Sequence, residues 1–283
     1  MSSARFAVTL VAAFSIGTWL ARTEMGAQVR TAPPHETFRV VLSSLATFAE
    51  GRMPTPIPRT DLVEAVAEYR TDEPLRRLAS TVGMLVIESH DAGKSWLSDC
   101  TAVVIAPDAI ITNFHCVPGS RTNEVIDRIT LWLDYVDAHN VIKINVVLQP
   151  LEQDQTLDYA ILKLEKPVNG ATHALTAVRL REALPGERLT LIHHARGAPQ
   201  QVSRIKCRIA IERERTSERI AHTCWSAPGS SGALIFAERD QAILGLHRSA
   251  ARNVDDPVGY ATPAMKLLAR SPILQRLSRQ EAR

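Results

Sequence analysis

The sequence predicts an all-β domain, a sandwich or barrel, with a helical N-terminal extension ahead of it and a C-terminal helix behind it. Three observations carry this. From Val82 onward the apolar residues come in short β-branched runs separated by turn signals. The stretch before residue 80 instead shows helical periodicity. Residues 265–277 can form a helix despite Pro272. A chain of 283 residues, 45% of them hydrophobic, has material for one sizeable domain with extra segments or for two small ones, and is not disordered. Its 33 Lys and Arg against 30 Asp and Glu give a formal charge of only +3. The basic residues are spread along the chain, so no electrostatic footprint for nucleic acid is present.

At the N-terminus, Arg5 precedes an uncharged apolar run from Phe6 to Ala21, which ends at Arg22 and Glu24. That order reads as an export signal. The run is slightly long for a signal core and short for a comfortable span, so residues 1–27 are expected to be either a signal cleaved near Ala27 or a retained anchor. The expected location is secreted or periplasmic, with membrane contact only if the segment is kept. Residues 28–80 read as a helical pro-segment or appendage. Phe38, Val41, Leu42, Leu45 and Phe48 share a helix face that stops at Gly51, and the prolines of residues 53–58 make an extended linker. A second helix is predicted from Asp61, with Asp61 and Glu64 as a capping pair, through Leu62, Val66 and Tyr69.

The strand candidates are residues 82–88, 101–106, 110–112, 129–133, 142–148 and 160–164, then 189–193, 202–211, 233–236 and 243–246. The four cysteines, Cys100, Cys116, Cys207 and Cys224, form an even set, which in an exported chain favours disulfides. The Pro107-Asp108 turn lies midway between Cys100 and Cys116, which places them opposite each other at the open end of a hairpin. The same holds for Cys207 and Cys224 about a centre near Arg215 and Thr216. The expected bridges are therefore Cys100–Cys116 and Cys207–Cys224. No C-x-x-C or other closely spaced ligand pair suggests zinc, and no metal or cofactor is expected.

Three segments carry chemistry: Ile-Ile-Thr-Asn-Phe-His115-Cys, Leu-Asp158-Tyr-Ala-Ile, and Pro-Gly229-Ser-Ser231-Gly. A serine hydroxyl is a poor nucleophile at neutral pH. It needs a base within hydrogen-bond reach and a third group that fixes the tautomer of that base. Ser231 would be the nucleophile, His115 the base and Asp158 the third group, in the chain order His, Asp, Ser. Asp154 competes with Asp158, and Ser230 with Ser231.

With these motifs the sequence resembles the chymotrypsin/trypsin-like serine peptidases, and more closely their bacterial glutamyl-endopeptidase branch. The histidine segment resembles T-A-A-H-C or T-N-x-H, Asp158-Tyr-Ala-Ile161 resembles D-x-A-[IL], and Gly229-Ser-Ser231-Gly232 resembles G-x-S-G. Residues 192–199 look like an H-P-x-G-x-P turn, and Gly259-Tyr-Ala-Thr-Pro263 like a late G-Y-A-x-P strand. The resemblance covers roughly residues 82–263. It implies two packed six-stranded antiparallel β-barrels, within about residues 81–168 and 175–263, then a C-terminal helix and tail over 264–283. It implies an endopeptidase that acts on protein or peptide substrates through an acyl-enzyme, with the N–H groups of Gly229 and Ser231 as the oxyanion hole. Two other readings share these residues: an esterase with the same triad, and a catalytically silent relative that keeps the barrels as a binding scaffold.

Departures from the pattern are informative. Regulated relatives place an acid just before the nucleophile to pair with a new N-terminal amine, and here that residue is Ser230, so activation through that ion pair is not expected. Arg248 follows His247 where many relatives carry a small residue. Six residues before the nucleophile, where trypsin-type enzymes carry an acid, stands Trp225. The glutamyl branch offers a hydroxyl five residues before the nucleophile and an imidazole in a G-[IL]-H strand, and Ser226 and Gly245-Leu-His247 match both. A preference for cleavage after Glu or Asp is the resulting expectation.

Overall fold

A computed structural model describes residues 61–91, 94–117, 124–137, 139–211, 219–250 and 258–280. The export segment, the helix expected over residues 38–48 and the linker at 53–58 lie outside the described residues.

The β-rich reading holds. The strands are β1 (Glu64–Ala65), β2 (Val82–Asp91), β3 (Lys94–Ala106), β4 (Ala109–Thr112), β5 (Val125–Leu133), β6 (Ile142–Val146), β7 (Glu152–Asp154), β8 (Tyr159–Lys163), β9 (Leu189–His193), β10 (Gln201–Ser203), β11 (Ile220–His222), β12 (Leu234–Ala237), β13 (Ile243–Ala250) and β14 (Gly259–Pro263). They form two antiparallel sheets, ordered β6-β5-β2-β3-β4-β8-β7 and β1-β10-β9-β12-β13-β14-β11. Each sheet closes on itself. In the first, Val146 pairs with Leu164, and in the second Arg188 pairs with Arg208 and Ile209 with His222. Closure pairs the ends of β6 and β11, which would otherwise stand as open edges.

The apolar runs of β4, β8 and β12 do not alternate with polar residues because both faces of these strands are buried. On β3 and β4, Ala102, Val104 and Ile110 point into the first barrel, while Val103, Ile105 and Ile111 join Ile192, Val202, Leu234 and Phe236 in a layer between the barrels. Side-chain period two thus builds two cores from one strand.

Three sequence expectations are corrected. The helix predicted from Asp61 is absent. Glu64 and Ala65 pair with Val202 and Gln201, and the Val66 N–H donates to the Gln200 carbonyl at 3.0 Å. Leu62, Val66 and Tyr69 fit a helix face, but strand pairing satisfies the backbone and still buries Val66 completely. Residues 64–79, ending in the short helix α1 (Pro74–Ala79), are therefore built into the domain. The strand expected over 202–211 breaks after Ser203, turns through Lys206 at φ 54°, and resumes only as bridges at Arg208 and Ile209. The terminal helix is two helices after the four-residue α2 (Gly170–His173): α3 (Ala264–Arg270) and α4 (Pro272–Gln280). Pro272 starts α4, where its missing N–H costs nothing, and the Ser271 hydroxyl caps it by accepting from Leu274 N–H at 3.1 Å.

The sulfurs of Cys100 and Cys116 lie 2.05 Å apart and those of Cys207 and Cys224 2.02 Å. Each bridge closes an antiparallel hairpin: β3 with β4, and the arms around Ile209 and His222. Non-reducing peptide maps should show these two linked pairs. Removing Cys100–Cys116 should lower turnover more than removing the other bridge, since Cys116 shares a one-turn helix with His115; equal losses of stability, about 3 kcal/mol each, are expected from loops of this size.

Candidate active site

β4 ends at Thr112, and the chain turns through buried Asn113 into the one-turn helix Phe114–Cys116. The flanking residues Phe114 and Cys116 are buried in the first barrel, so His115 is turned outward, its side chain 42% exposed and open to a substrate. Asp158 stands immediately before β8, which pairs with β4 through Thr112 and Ala160. Its φ of 52° is a left-handed conformation that aspartate tolerates, and the Asn113 side-chain amide donates to its carbonyl at 2.8 Å. The Asp158 carboxylate meets His115 Nδ1 at 2.9 and 3.1 Å and accepts from the His115 backbone N–H at 3.1 Å. Arg248 Nε lies 3.5 Å from the same carboxylate. The competitor Asp154 faces away and binds Arg270 Nε at 2.7 Å.

Ser231 lies between the barrels, on the loop that leads into β12. The Thr101 N–H donates to the Ser231 carbonyl at 2.7 Å, the Thr101 hydroxyl donates to the Gly229 carbonyl at 2.8 Å, and Arg196 N–H donates to the Pro228 carbonyl at 2.6 Å. With its carbonyls held this way, the loop keeps the N–H groups of Gly229 and Ser231 out of backbone pairing among the described residues. Gly229 sits at φ 92°, and a Cβ there would strike the Asp99 carboxylate and the His194 carbonyl. Only glycine fits that turn.

Ser226 is half-buried on the same loop. His247, on β13, is 1% exposed, and its Nδ1 lies 3.0 Å from Nε2 of the buried His222. Burial holds both imidazoles well below the ordinary histidine range, His222 at about 3. The other nitrogen of His222, Nδ1, has no hydrogen-bond partner among the described residues. An acceptor tolerates that better than an N–H does, which favours the tautomer in which His222 Nε2–H donates to His247 Nδ1, leaving His247 Nε2 as a donor.

Three residues of this region carry no functional signal in the sequence, and a fourth, Arg248, is marked there only as a departure from the family pattern. His193 is legible only as a member of a strand, His222 only as part of the segment between Cys207 and Cys224, Asp99 only as the neighbour of a cysteine, and the approach of Arg248 to Asp158 not at all. No local pattern marks them, because each acts on a segment distant in the chain.

No curated protein matches the sequence. Among solved structures the chain is similar to a serine endoprotease of Yersinia pestis (14% identity, 80% of this chain and 69% of that one, TM-score 0.53). It is also similar to Rv3671c of Mycobacterium tuberculosis in an inactive mutant form (16%, 80% and 98%, 0.51), and to a Glu endopeptidase (19%, 80% and 99%, 0.53). At these identities the likeness is one of fold. The family model of the trypsin-like peptidase domain matches residues 100–246, more than half of the sequence. The chain belongs to the trypsin-like peptidase family, and so to the peptide-bond hydrolases.

Proposed function

We propose that the chain is an exported endopeptidase in which Ser231 attacks the scissile carbonyl, His115 takes the serine proton and returns it to the leaving amine, and Asp158 orients His115. The observation that carries this reading is the contact of His115 Nδ1 with the Asp158 carboxylate, together with a Ser231 loop whose Pro228, Gly229 and Ser231 carbonyls are tied down. With Nδ1–H donating to Asp158, Nε2 is left as the base. The N–H groups of Gly229 and Ser231 meet the charge that develops on the carbonyl oxygen, an effect worth about 3 kcal/mol per donor. Two disulfides suit an oxidising compartment. A fluorophosphonate probe should label Ser231 alone; labelling of Ser230, or none, overturns the assignment, and turnover of matched esters without peptides would make the chain an esterase.

The same reading extends to specificity. Trp225 leaves no buried counter-charge for Arg or Lys, whereas the His247 Nε2–H and the Ser226 hydroxyl are both donors suited to a substrate carboxylate. Digestion of a peptide library should enrich Glu or Asp before the scissile bond. His247→Ala should lower kcat/KM for Glu substrates about 100-fold while sparing substrates of other types. A library with no acidic enrichment rejects this extension and leaves the triad untouched.

A further inference from the structure

Behind the Ser231 loop lies a buried imidazole outside the triad. His193, at the end of β9, is 0% exposed. Its Nδ1 lies 2.6 Å from the Ser230 hydroxyl and its Nε2 3.1 Å from the Ser203 hydroxyl. The Ser203 hydroxyl in turn donates to the Trp225 carbonyl at 2.8 Å, and the Ser230 hydroxyl accepts from the Ala227 N–H at 3.1 Å. These partners fix every proton. Ser203 spends its hydrogen on Trp225, so it accepts from His193 Nε2–H. His193 Nδ1 is then an acceptor, and Ser230 must donate to it. The wire runs from Ala227 N–H through Ser230 to His193, and from His193 through Ser203 to Trp225, with each group on it satisfied. It pins residues 225, 227 and 230, and so brackets the segment that carries Gly229 and ends at Ser231.

We propose that His193 is the positioning residue that holds the oxyanion loop in working shape, in the place where regulated relatives use an acid paired with a new N-terminal amine. The proposal rests on Ser231 being the nucleophile. Its consequence is a loop formed by groups wholly inside the domain, which needs no newly released N-terminus. A charged imidazole would carry a second N–H and leave Ser230 without its acceptor. Burial, reinforced by the neighbouring His247 and His194, pushes His193 down to about 3 and keeps Nδ1 an acceptor wherever the enzyme works.

The test compares His193→Gln, His193→Asn and Ser230→Ala in the full chain, with kcat and KM measured on one peptide substrate and folding checked by near-ultraviolet circular dichroism. Asparagine can place an acceptor near the position of Nδ1, and glutamine a donor near Nε2. His193→Gln is therefore expected to lose about 10- to 100-fold in kcat with KM changed little, since oxyanion donors act in the transition state. His193→Asn should recover most of that loss. Ser230→Ala should show a similar loss, and the pair His193→Gln with Ser230→Ala should lose no more than the larger single change. Wild-type kcat in folded His193→Gln, or fully additive losses in the double variant, overturns the proposal. If His193→Gln does not fold, Ser230→Ala decides: wild-type kcat there overturns it and a kcat loss at constant KM supports it. Activity surviving in Ser231→Ala would instead overturn the nucleophile assignment itself.

Discussion

Ser231→Ala is expected to lower kcat on the order of 10⁶-fold with the fold and the substrate KM retained. In the proposed mechanism the hydroxyl is the attacking group, and triad members fail as a unit when one is lost. What remains, roughly 10³-fold over water, comes from the oxyanion donors and from binding. Packing should survive, because the Ser231 contact that fixes the loop is its backbone carbonyl, bonded to Thr101 N–H, and the exchange removes only one oxygen. Ser230 gives the contrast. Its hydroxyl is 0% exposed and committed to His193 and Ala227, so its removal should loosen the loop and lower kcat by a far smaller factor. Kinetic constants for both variants, measured beside their thermal midpoints, check this. Full activity in Ser231→Ala with complete loss in Ser230→Ala would reverse the two roles.

What the sequence makes legible here is what local chemistry dictates. The β-branched runs mark β2, β4, β5 and β9 because those strands are buried on one or both faces. His115, Asp158 and Ser231 each stand near a strand boundary within a short motif, so each can be nominated without knowing which strands pair, and the structure brings the first two into contact. The cysteine pairs follow the hairpin argument for the same reason: Cys100 and Cys116 are joined through the turn between β3 and β4, while the centre expected near Arg215 and Thr216 for Cys207 and Cys224 lies outside the described residues. Features that depend on distant partners were hidden. Glu64 and Ala65 become a strand only because Gln201 and Val202 lie beside them, and the pattern of Leu62, Val66 and Tyr69 is compatible with a helix until that partner exists. Ser230 could be seen to break the acid rule, but not that His193, from another strand, takes over the loop. Asp99, directly ahead of Cys100, has no local pattern that marks its burial.

Among the described residues, Asp99 should set the strongest pH dependence of stability that a single carboxyl contributes. It is 5% exposed, wedged against Gly229, and neither oxygen has a hydrogen-bond partner among the described residues. Burial pushes its carboxyl up to about 7, and the nearby backbone N–H groups of Gly197 and Asp99 offset only part of that. The sign follows from proton binding. In the unfolded chain the group ionises near 3.8, while the folded protein holds the proton until about pH 7. Between those values the native state binds more protons, so stability falls as pH rises, and above pH 7 the full penalty, on the order of 4 kcal/mol, is present. The buried imidazoles act in the opposite direction. His193, His194 and His222 are depressed to about 3, 4 and 3, so their contribution is lost as pH falls below 6.5. For that reason the informative quantity is the difference between wild type and Asp99→Asn, in which the histidine terms cancel. Urea unfolding at pH 4.5, 6 and 8 should show the variant gaining on the wild type at each step upward, by several kcal/mol in all, with the gain levelling off beyond pH 8. A difference that stays constant across this range would mean that Asp99 is already charged in the folded protein at pH 4.5, with solvent or a cation reaching its carboxylate.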